Sequence, residues 1–232
     1  MSLKKYVREN FTPLERLLFI ASEAIVIFAY LIWDGQNYVN LACSLIGVIS
    51  VMFCIKGHPF GALLGVLFAI IYSITSYKFG YYGEFFTYTF MSLPMCIISF
   101  ISWIRNPYKK GKPQVKVGEV YAKDFILLII LATVVTTAFY FILRHFNTTN
   151  LIISTISVTT SFSAVYLMYK RSPFYSLAYI ANDLVLITLW ILASFTDKSY
   201  ITVTVCFVVF LINDAYGFYN WQRIKKSQTT NI

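Results

Sequence analysis

The sequence predicts an all-α polytopic membrane protein with eight transmembrane helices. Only 12% of the 232 residues are charged and 58% are hydrophobic, whereas soluble domains average roughly 25% charged residues. The mean hydropathy is +0.68. The apolar segments are continuous over about 20 residues, which is the length that crosses a bilayer as a helix. Because the strands of a transmembrane barrel alternate in polarity instead, the sequence argues against a barrel.

Turn signals divide the apolar sequence into spans. Thr12 is suited to cap the first helix, and Pro13 fits its first turn. Breaks are predicted at 34–37 and at 56–59, and the segment 105–123 is polar and rich in lysine, proline and glycine, which is typical of a loop. The eight spans are expected at about 14–33, 38–55, 60–77, 83–104, 124–143, 151–169, 174–194 and 199–221.

The basic residues indicate how the spans are oriented. With eight spans, one side of the membrane carries only Lys78, Arg144 and Lys198, which leaves 16 of the 19 lysines and arginines on the other side. Positive residues concentrate in cytoplasmic loops. We therefore expect both termini and the basic loop in the cytoplasm. The net charge of +9 is explained in this way without a nucleic-acid partner.

The sequence also contains a weak internal repeat. Pro59 and Pro173 are related by an offset of 114 residues, whereas Trp103 and Trp221 are related by 118. One helix separates the two three-helix units, so both units have the same orientation, as in one class of transporter folds. The predicted divisions are 1–36 (a segment with an extra helix), 37–104 (first repeat), 105–123 (basic loop), 124–148 (linker helix), 149–222 (second repeat) and 223–232 (a polar, frayed tail).

Polar residues inside the last two spans point to a ligand cavity. Each span carries an Asn-Asp dipeptide, at 182–183 and at 213–214, and ionisable residues at membrane depth usually face a bundle interior or a watery cavity. Aromatic rings nearby could stack on a flat ligand. The candidate substrate-binding residues are Tyr72, Glu84, Tyr88, Tyr179, Asn182, Asp183, Trp190, Asn213, Tyr216 and Asn220. The alternative for each is a hydrogen bond between helices without a ligand, and for Glu84 an acidic residue at a helix start.

Several classes of chemistry have no motif here. The sequence has no P-loop, no dinucleotide-binding glycine pattern and no clustered histidines and cysteines. We therefore expect no metal site, no cofactor, no nucleotide hydrolysis and no enzymatic activity. A membrane-embedded enzyme would need such a cluster, whereas a structural or regulatory membrane subunit remains an alternative to a transporter.

From about residue 37 to residue 226, the chain resembles the PnuC family of bacterial vitamin transporters. The resemblance depends on Tyr72, on the run 77–84 (YKFGYYGE), on 99–103 (SFISW), on Asp183 and on 216–221 (YGFYNW). The last of these motifs is the most specific. The chain departs from the family pattern at Ser99, where a glycine is usual, and at Tyr179, where a tryptophan is common.

The resemblance implies a core of three, one and three helices, similar to SWEET sugar transporters, in a homotrimer. It also implies facilitated diffusion by alternating access, with nicotinamide riboside as the substrate and phosphorylation in the cytoplasm trapping it for NAD biosynthesis. Thiamine and riboflavin are the alternative substrates in the family. All three contain flat heteroaromatic rings, which tyrosine and tryptophan can stack on. The partners that the resemblance implies are a small vitamin and the lipid bilayer.

Overall fold

Eight helices of membrane-spanning length and composition make up the fold. The computed structural model describes residues 11–78, 82–109, 111 and 113–230. Residues 1–10, 79–81, 110, 112 and 231–232 lie outside the described part of the chain. They belong to the predicted N-terminal segment, the 77–84 motif, the basic loop and the tail. The helices are α1 Pro13–Trp33, α2 Tyr38–Ile55, α3 Pro59–Lys78, α4 Tyr82–Arg105, α5 Ala122–His145, α6 Leu151–Tyr169, α7 Phe174–Ser194 and α8 Tyr200–Thr230. The predicted all-α class and the eight spans are confirmed.

The starts of α1 and α5 are held by the same arrangement of side chains. Thr12 and Glu15 form a reciprocal capping box at α1, and the Asp124 side chain accepts a hydrogen bond from the Tyr121 backbone N–H at α5. Each acid is also paired with a lysine just after a neighbouring helix. Lys56 Nζ lies 3.0 Å from Glu15, and Lys170 Nζ lies 2.8 Å from Asp124. An ion pair thus joins α1 to the end of α2, and a second one joins α5 to the end of α6.

α4 is not a regular helix, which the sequence pattern did not predict. Its residues Tyr88–Ser92 form a turn of π-helix, followed by Leu93–Arg105 in α-helical form. Pro94 lacks the N–H that would bond to the preceding turn, and such bulges often accompany functional positions. The turn directs Tyr88 towards the centre of the bundle, where it is buried.

The polar tail is helical, so the expected fraying at 223–230 is wrong for the described residues. α8 continues to Thr230, and the Gln228 side chain is buried. Its amide bonds the loop in two places: the Val117 backbone N–H donates to Oε1 at 2.8 Å, and Nε2 donates to the Val115 carbonyl at 3.0 Å. The loop backbone thus satisfies the buried Gln228 amide in place of water, and these bonds stabilise the last turns of α8.

Sequential helices pack as antiparallel neighbours, with α2 against α3, α6 against α7 and α7 against α8. Non-sequential contacts close the bundle, since α8 also packs on α1 and α2, and α4 packs on α6 as well as on α3. The elements from the two halves of the chain therefore face each other across the middle of the molecule, and the candidate site lies between them.

Candidate functional site

A cavity of about 110 Å³ lies at the centre of the bundle, between α2, α3 and α4 on one side and α6, α7 and α8 on the other. The two sides contribute different chemistry. The first half supplies small or apolar side chains, namely Gly47, Val51, Cys54, Gly65, Phe68, Ala69 and Cys96, together with the polar Ser50, Tyr88 and Ser92. The second half supplies the amide and the carboxyl groups along with further polar residues, namely Ser161, Tyr175, Tyr179, Asn182, Asp183 and Asp214.

The small residues leave space opposite the polar ones. The offset of 114 positions noted in the sequence pairs Tyr179 with Gly65 and Asp183 with Ala69. All four residues line the cavity. At these two positions the second half presents a ring and a carboxyl, whereas the first half presents a hydrogen atom and a methyl group. The side chains of α3 at these positions are therefore smaller than those of α7.

Asn182 is oriented by two hydroxyl groups of α6. Ser161 Oγ donates to Asn182 Oδ1 at 2.7 Å, and Thr160 Oγ1 lies 2.9 Å from the same oxygen. Since the amide oxygen is engaged, the amide nitrogen is left to face the cavity that Asn182 lines. The side chain offers two N–H donors there, which suits an acceptor such as a ligand carbonyl or ribose oxygen.

Two carboxyl groups meet in the cavity wall. Asp183 on α7 and Asp214 on α8 are buried and lie close enough to interact with each other. Asp183 Oδ2 has no hydrogen-bond partner among the described residues. Within the described part of the chain, no lysine or arginine lines the cavity. Carboxylates that share a site repel one another unless a proton or a cation lies between them, so the wall is complementary to a positively charged ligand.

An aromatic layer lies between this cavity and a second one towards the α7–α8 turn. It consists of Tyr72, Tyr88 and Trp190, which we call the upper layer. The ring of Tyr72 is 4.4 Å from that of Tyr88 and 6.3 Å from that of Trp190. Tyr88 lines the central cavity, whereas Trp190 lines the second cavity, of about 300 Å³, together with buried Glu84. Glu84 Oε2 has no hydrogen-bond partner among the described residues.

A lower layer of three rings lies below the cavity, towards the basic loop. It consists of Trp103, Tyr175 and Trp221, each at most 1% exposed, with the Trp103 and Trp221 rings 5.5 Å apart. Tyr175 lines the cavity and its ring lies 5.1 Å from that of Trp221. The cavity therefore has an aromatic layer on each side along the bundle axis.

Crossed hydrogen bonds hold the lower layer. Trp103 Nε1 on α4 donates to the Met168 carbonyl at the end of α6, and Trp221 Nε1 on α8 donates to the Cys54 carbonyl at the end of α2, both at 2.9 Å. The Tyr175 hydroxyl adds a second bond to the Cys54 carbonyl at 3.1 Å. α4 is thus bonded to the end of α6, and α8 to the end of α2.

The structure brings four of the ten predicted site residues to the cavity. Tyr88, Tyr179, Asn182 and Asp183 line it. Tyr72 and Trp190 belong to the upper layer, and Glu84 lies beyond that layer in the second cavity.

The remaining three predicted residues bond to other helices instead. Asn213 Nδ2 donates to Ser22 Oγ on α1 at 2.9 Å, and the Tyr216 hydroxyl lies 3.3 Å from Glu15 Oε1. Asn220 Nδ2 donates to the Ile55 carbonyl at 2.8 Å. For these three the structure supports the alternative of hydrogen bonds between helices, because α1 and α2 present polar partners to that face of α8.

Asp214 is the cavity residue that the choice of helix face left out. It shares a stripe of α8 with Phe207 and Phe210, at spacings of four and three, and all three line the cavity. The stripe through Asn213, Tyr216 and Asn220 is more polar, so polarity alone favoured the face that packs against α1 and α2. The Asn-Asp dipeptide was the available signal, since its two side chains point to different neighbours. Among the described residues, no group of histidines, cysteines and acids is arranged to hold a metal ion.

Comparisons with known proteins agree on one family. The family model described as nicotinamide mononucleotide transporter matches residues 37–223. A protein of Neisseria mucosa called nicotinamide riboside transporter PnuC is 24% identical over 237 residues, which cover 97% of this chain and 88% of that protein. A Haemophilus influenzae protein of the same name is 24% identical over 210 residues, which cover 90% of this chain and 88% of that protein.

The fold is also similar to a solved structure. The crystal structure described as that of the vitamin B3 transporter PnuC superposes with a TM-score of 0.82 at 22% sequence identity. The match covers 98% of this chain and 100% of that chain, so it includes α1 and the helical end of α8.

Proposed function

The chain belongs to the nicotinamide mononucleotide transporter family, and from that premise we propose that it carries nicotinamide riboside across the membrane by facilitated diffusion. The family and both named relatives are transporters. The resemblance to the PnuC family and the expectation of a transporter rather than an enzyme are therefore confirmed. Which ligand occupies the cavity, and how it crosses, are the proposal.

The central cavity favours the riboside over the mononucleotide. The family description and the names of the relatives differ by one phosphate group. Asp183 and Asp214 line the cavity, and no lysine or arginine among the described residues does. A phosphate group adds up to two negative charges, which these carboxyls would repel, whereas nicotinamide riboside carries one positive charge on its ring. This pair of carboxyls, in a cavity that no described lysine or arginine lines, is the observation that carries the proposal.

The other lining groups suit the remaining parts of the riboside. The rings of Tyr88 and Tyr179 lie in the cavity wall, and a cationic ring gains from the face of an aromatic side chain. The amide nitrogen of Asn182 suits the carbonyl of the carboxamide or a ribose oxygen. Gly65 and Ala69 leave room for the ring opposite these groups.

Transport by alternating access fits the two aromatic layers. Small-molecule sites are usually about 300–1,000 Å³, so the cavity of about 110 Å³ has to widen when the riboside enters. We propose that the upper layer opens to one side and the lower layer to the other, in turn. Movement would follow the concentration gradient, and phosphorylation in the cytoplasm would trap the product.

We propose the orientation, the assembly and the repeat on separate grounds. Lys56, Arg105 and Lys170 lie at the end of the bundle that carries the basic loop, which supports cytoplasmic termini at the inner membrane of a bacterium. The crossed bonds of Trp103 and Trp221 support two parallel three-helix repeats in a SWEET-like arrangement, since their acceptors are 114 and their donors 118 positions apart. The homotrimer follows from the family resemblance.

Thiamine is the second candidate substrate, because its thiazolium ring is also flat and positively charged. The carboxyl pair gives no such advantage to riboflavin, whose ring system is neutral. A structural or regulatory subunit would not need a polar cavity between aromatic layers.

Uptake into proteoliposomes tests the proposal. We expect saturable, ATP-independent entry of labelled nicotinamide riboside, with inhibition by the unlabelled riboside and not by the mononucleotide. Vesicles that enclose a riboside kinase and ATP should accumulate label above the external concentration, whereas vesicles without the kinase should only equilibrate. Equal inhibition by the mononucleotide, or inhibition by thiamine alone, would contradict the assigned substrate. Accumulation without the kinase would contradict facilitated diffusion.

A further inference from the structure

A third cavity, of about 550 Å³, opens at the end of the bundle that carries the basic loop. It lies between the end of α4 and the turn that joins α6 to α7, and it shares no lining residue with the central cavity. Its lining combines cationic side chains with polar and apolar ones, namely Arg105, Lys170, Arg171, Ser102, Asn106 and Glu119, with Ile98, Ile101 and Tyr169 beside them. We call it the basic pocket.

Arg171 is held in place at the floor of the basic pocket. Its Nη1 donates to Ser102 Oγ at 2.9 Å, and its Nε donates to the Lys116 carbonyl at 3.2 Å. Its own carbonyl accepts a bond from the Gly118 N–H at 3.0 Å. None of these partners is an anion, and burial lowers the pKa of the Arg171 guanidinium. The side chain is therefore positioned by neutral groups, and its charge is not neutralised by an acid among the described residues.

The backbone of Arg171 shows that its position is costly. Its φ is +56°, in the left-handed region, which glycine adopts freely and other residues adopt at a cost in free energy. The residue 114 positions earlier, in the corresponding turn between α2 and α3, is Gly57 with φ +64°. The turn between α2 and α3 thus has glycine at the left-handed position, whereas the turn between α6 and α7 has an arginine there.

Arg105 and Lys170 add to the positive charge of the basic pocket. Arg105 makes no hydrogen bond or ion pair with any described residue, and its side chain is exposed. The hydrogen bond to Asp124 raises the pKa of Lys170, so this lysine stays charged at neutral pH. Glu119 is the one acid in the lining of the described pocket, and its carboxylate accepts a hydrogen bond from the Tyr121 hydroxyl. Asp124 partly offsets the charge of Lys170, and the two arginines outnumber the one acid in the lining, so the pocket keeps a net positive charge.

The wall of the basic pocket continues into an apolar surface. Ile98 and Ile101 of α4 are 44% and 41% exposed, on a helix that spans the membrane. A ligand in the pocket can therefore place an anionic group against the guanidinium groups and an apolar chain along α4. Guanidinium groups form paired hydrogen bonds with phosphate oxygens, and basic pockets between helices at the cytoplasmic face suit anionic lipid headgroups.

We propose that the basic pocket binds the phosphate headgroup of an anionic phospholipid from the surrounding leaflet. The site is independent of the substrate proposed above, since neither its residues nor its ligand chemistry belong to the central cavity. Arg171 would contact the phosphate from the protein side and Arg105 from the open side, while an acyl chain would lie along Ile98 and Ile101.

Native mass spectrometry of the full chain in detergent tests this proposal. Phosphatidylglycerol and phosphatidylcholine with identical acyl chains are titrated separately. The variants are Arg171→Gly, which removes the cation and suits the left-handed backbone, and Arg105→Gln, which breaks no side-chain hydrogen bond or ion pair with a described residue. Lys225→Ala is the control. This exposed lysine lies in the last turns of α8, at the end of the bundle that carries the basic loop, but it does not line the basic pocket.

We expect tighter binding of phosphatidylglycerol than of phosphatidylcholine. Each pocket variant should weaken phosphatidylglycerol binding about fivefold, with phosphatidylcholine binding unchanged and the Lys225→Ala variant like the parent protein. Equal binding of the two lipids, or equal loss in the control, would overturn the proposal. Displacement of the lipid by millimolar inorganic phosphate would also overturn it, since the pocket would then be a site for a soluble phosphate. Should Arg171→Gly fail to fold, the Arg105→Gln result decides.

Discussion

The charge of the central cavity gives the sharpest prediction about the substrate. Asp214 lines the cavity beside Asp183, and both carboxyls are buried. The Asp214→Asn substitution keeps the shape of the side chain and removes its capacity for negative charge. Nicotinamide riboside and its 1,4-dihydro form have nearly the same shape, but only the former carries a positive charge. Comparing the two ligands therefore isolates the contribution of charge.

The ring nitrogen of the riboside carries no N–H, so a carboxylate acts on its charge by Coulomb attraction and not by a hydrogen bond. Unit charges about 6 Å apart attract by about 2.8 kcal/mol at an effective dielectric constant of about 20. Because Asp183 and Asp214 share the site, we assign about half of this, about 1.4 kcal/mol or tenfold in Kd, to Asp214. We expect Asp214→Asn to weaken binding of nicotinamide riboside by this factor and to leave the dihydro form little changed. The measurement is titration calorimetry on purified protein, with each ligand and each variant.

A matched control is available in the same chain. Asp197 lies in the exposed turn between α7 and α8, where its carboxylate accepts a bond from the Ser199 N–H, so Asp197→Asn makes the same chemical change outside the cavity. It should leave both ligands unaffected. Equal weakening of the charged and neutral ligands by Asp214→Asn would refute the reasoning, because Asp214 would then support the fold and not the charge of the ligand.

Three further substitutions test other parts of the account. Tyr179→Leu removes a ring from the cavity wall and should weaken riboside binding about fivefold, whereas Tyr216→Phe, on the face towards α1, should not change it in the same titration; the reverse order would contradict the assignment of helix faces. Trp103→Phe loses a buried hydrogen bond and ring volume, so thermal unfolding in detergent should show a free energy of unfolding lower by about 2 kcal/mol. An unchanged unfolding temperature would contradict a stabilising role for the lower layer. Lys56→Met leaves the buried Glu15 carboxylate unpaired and should cost about 3 kcal/mol in that assay; adding Glu15→Gln should restore part of the loss, and no recovery would argue against the ion pair.

The spans were predictable because they depend on local sequence. Continuous apolar runs and turn residues mark the helices, and Thr12 and Pro13 mark a helix start that the structure shows. The π turn in α4 was not predicted, since it depends on how Pro94 and its neighbours pack. The helical tail was missed for a similar reason: the bonds of Gln228 to the loop backbone are tertiary contacts that no local pattern reveals.

The site was predictable only in part, because a polar helix face does not say what it meets. On α7 the choice of Tyr179, Asn182 and Asp183 led to the cavity, where α6 supplies hydroxyl partners for Asn182. On α8 the more polar stripe led to α1 and α2 instead. The aromatic layers could not be predicted from local sequence. Trp103 and Trp221, which are 118 positions apart in the sequence, meet only when the helices pack.

The most direct test of the substrate assignment is titration calorimetry of the purified protein with nicotinamide riboside, nicotinamide mononucleotide, thiamine and riboflavin side by side. We expect binding of the riboside, with the mononucleotide much weaker because its phosphate meets two carboxyls and, among the described residues, no lysine or arginine. Binding of the mononucleotide as tight as that of the riboside, or binding of none of the four, would contradict it.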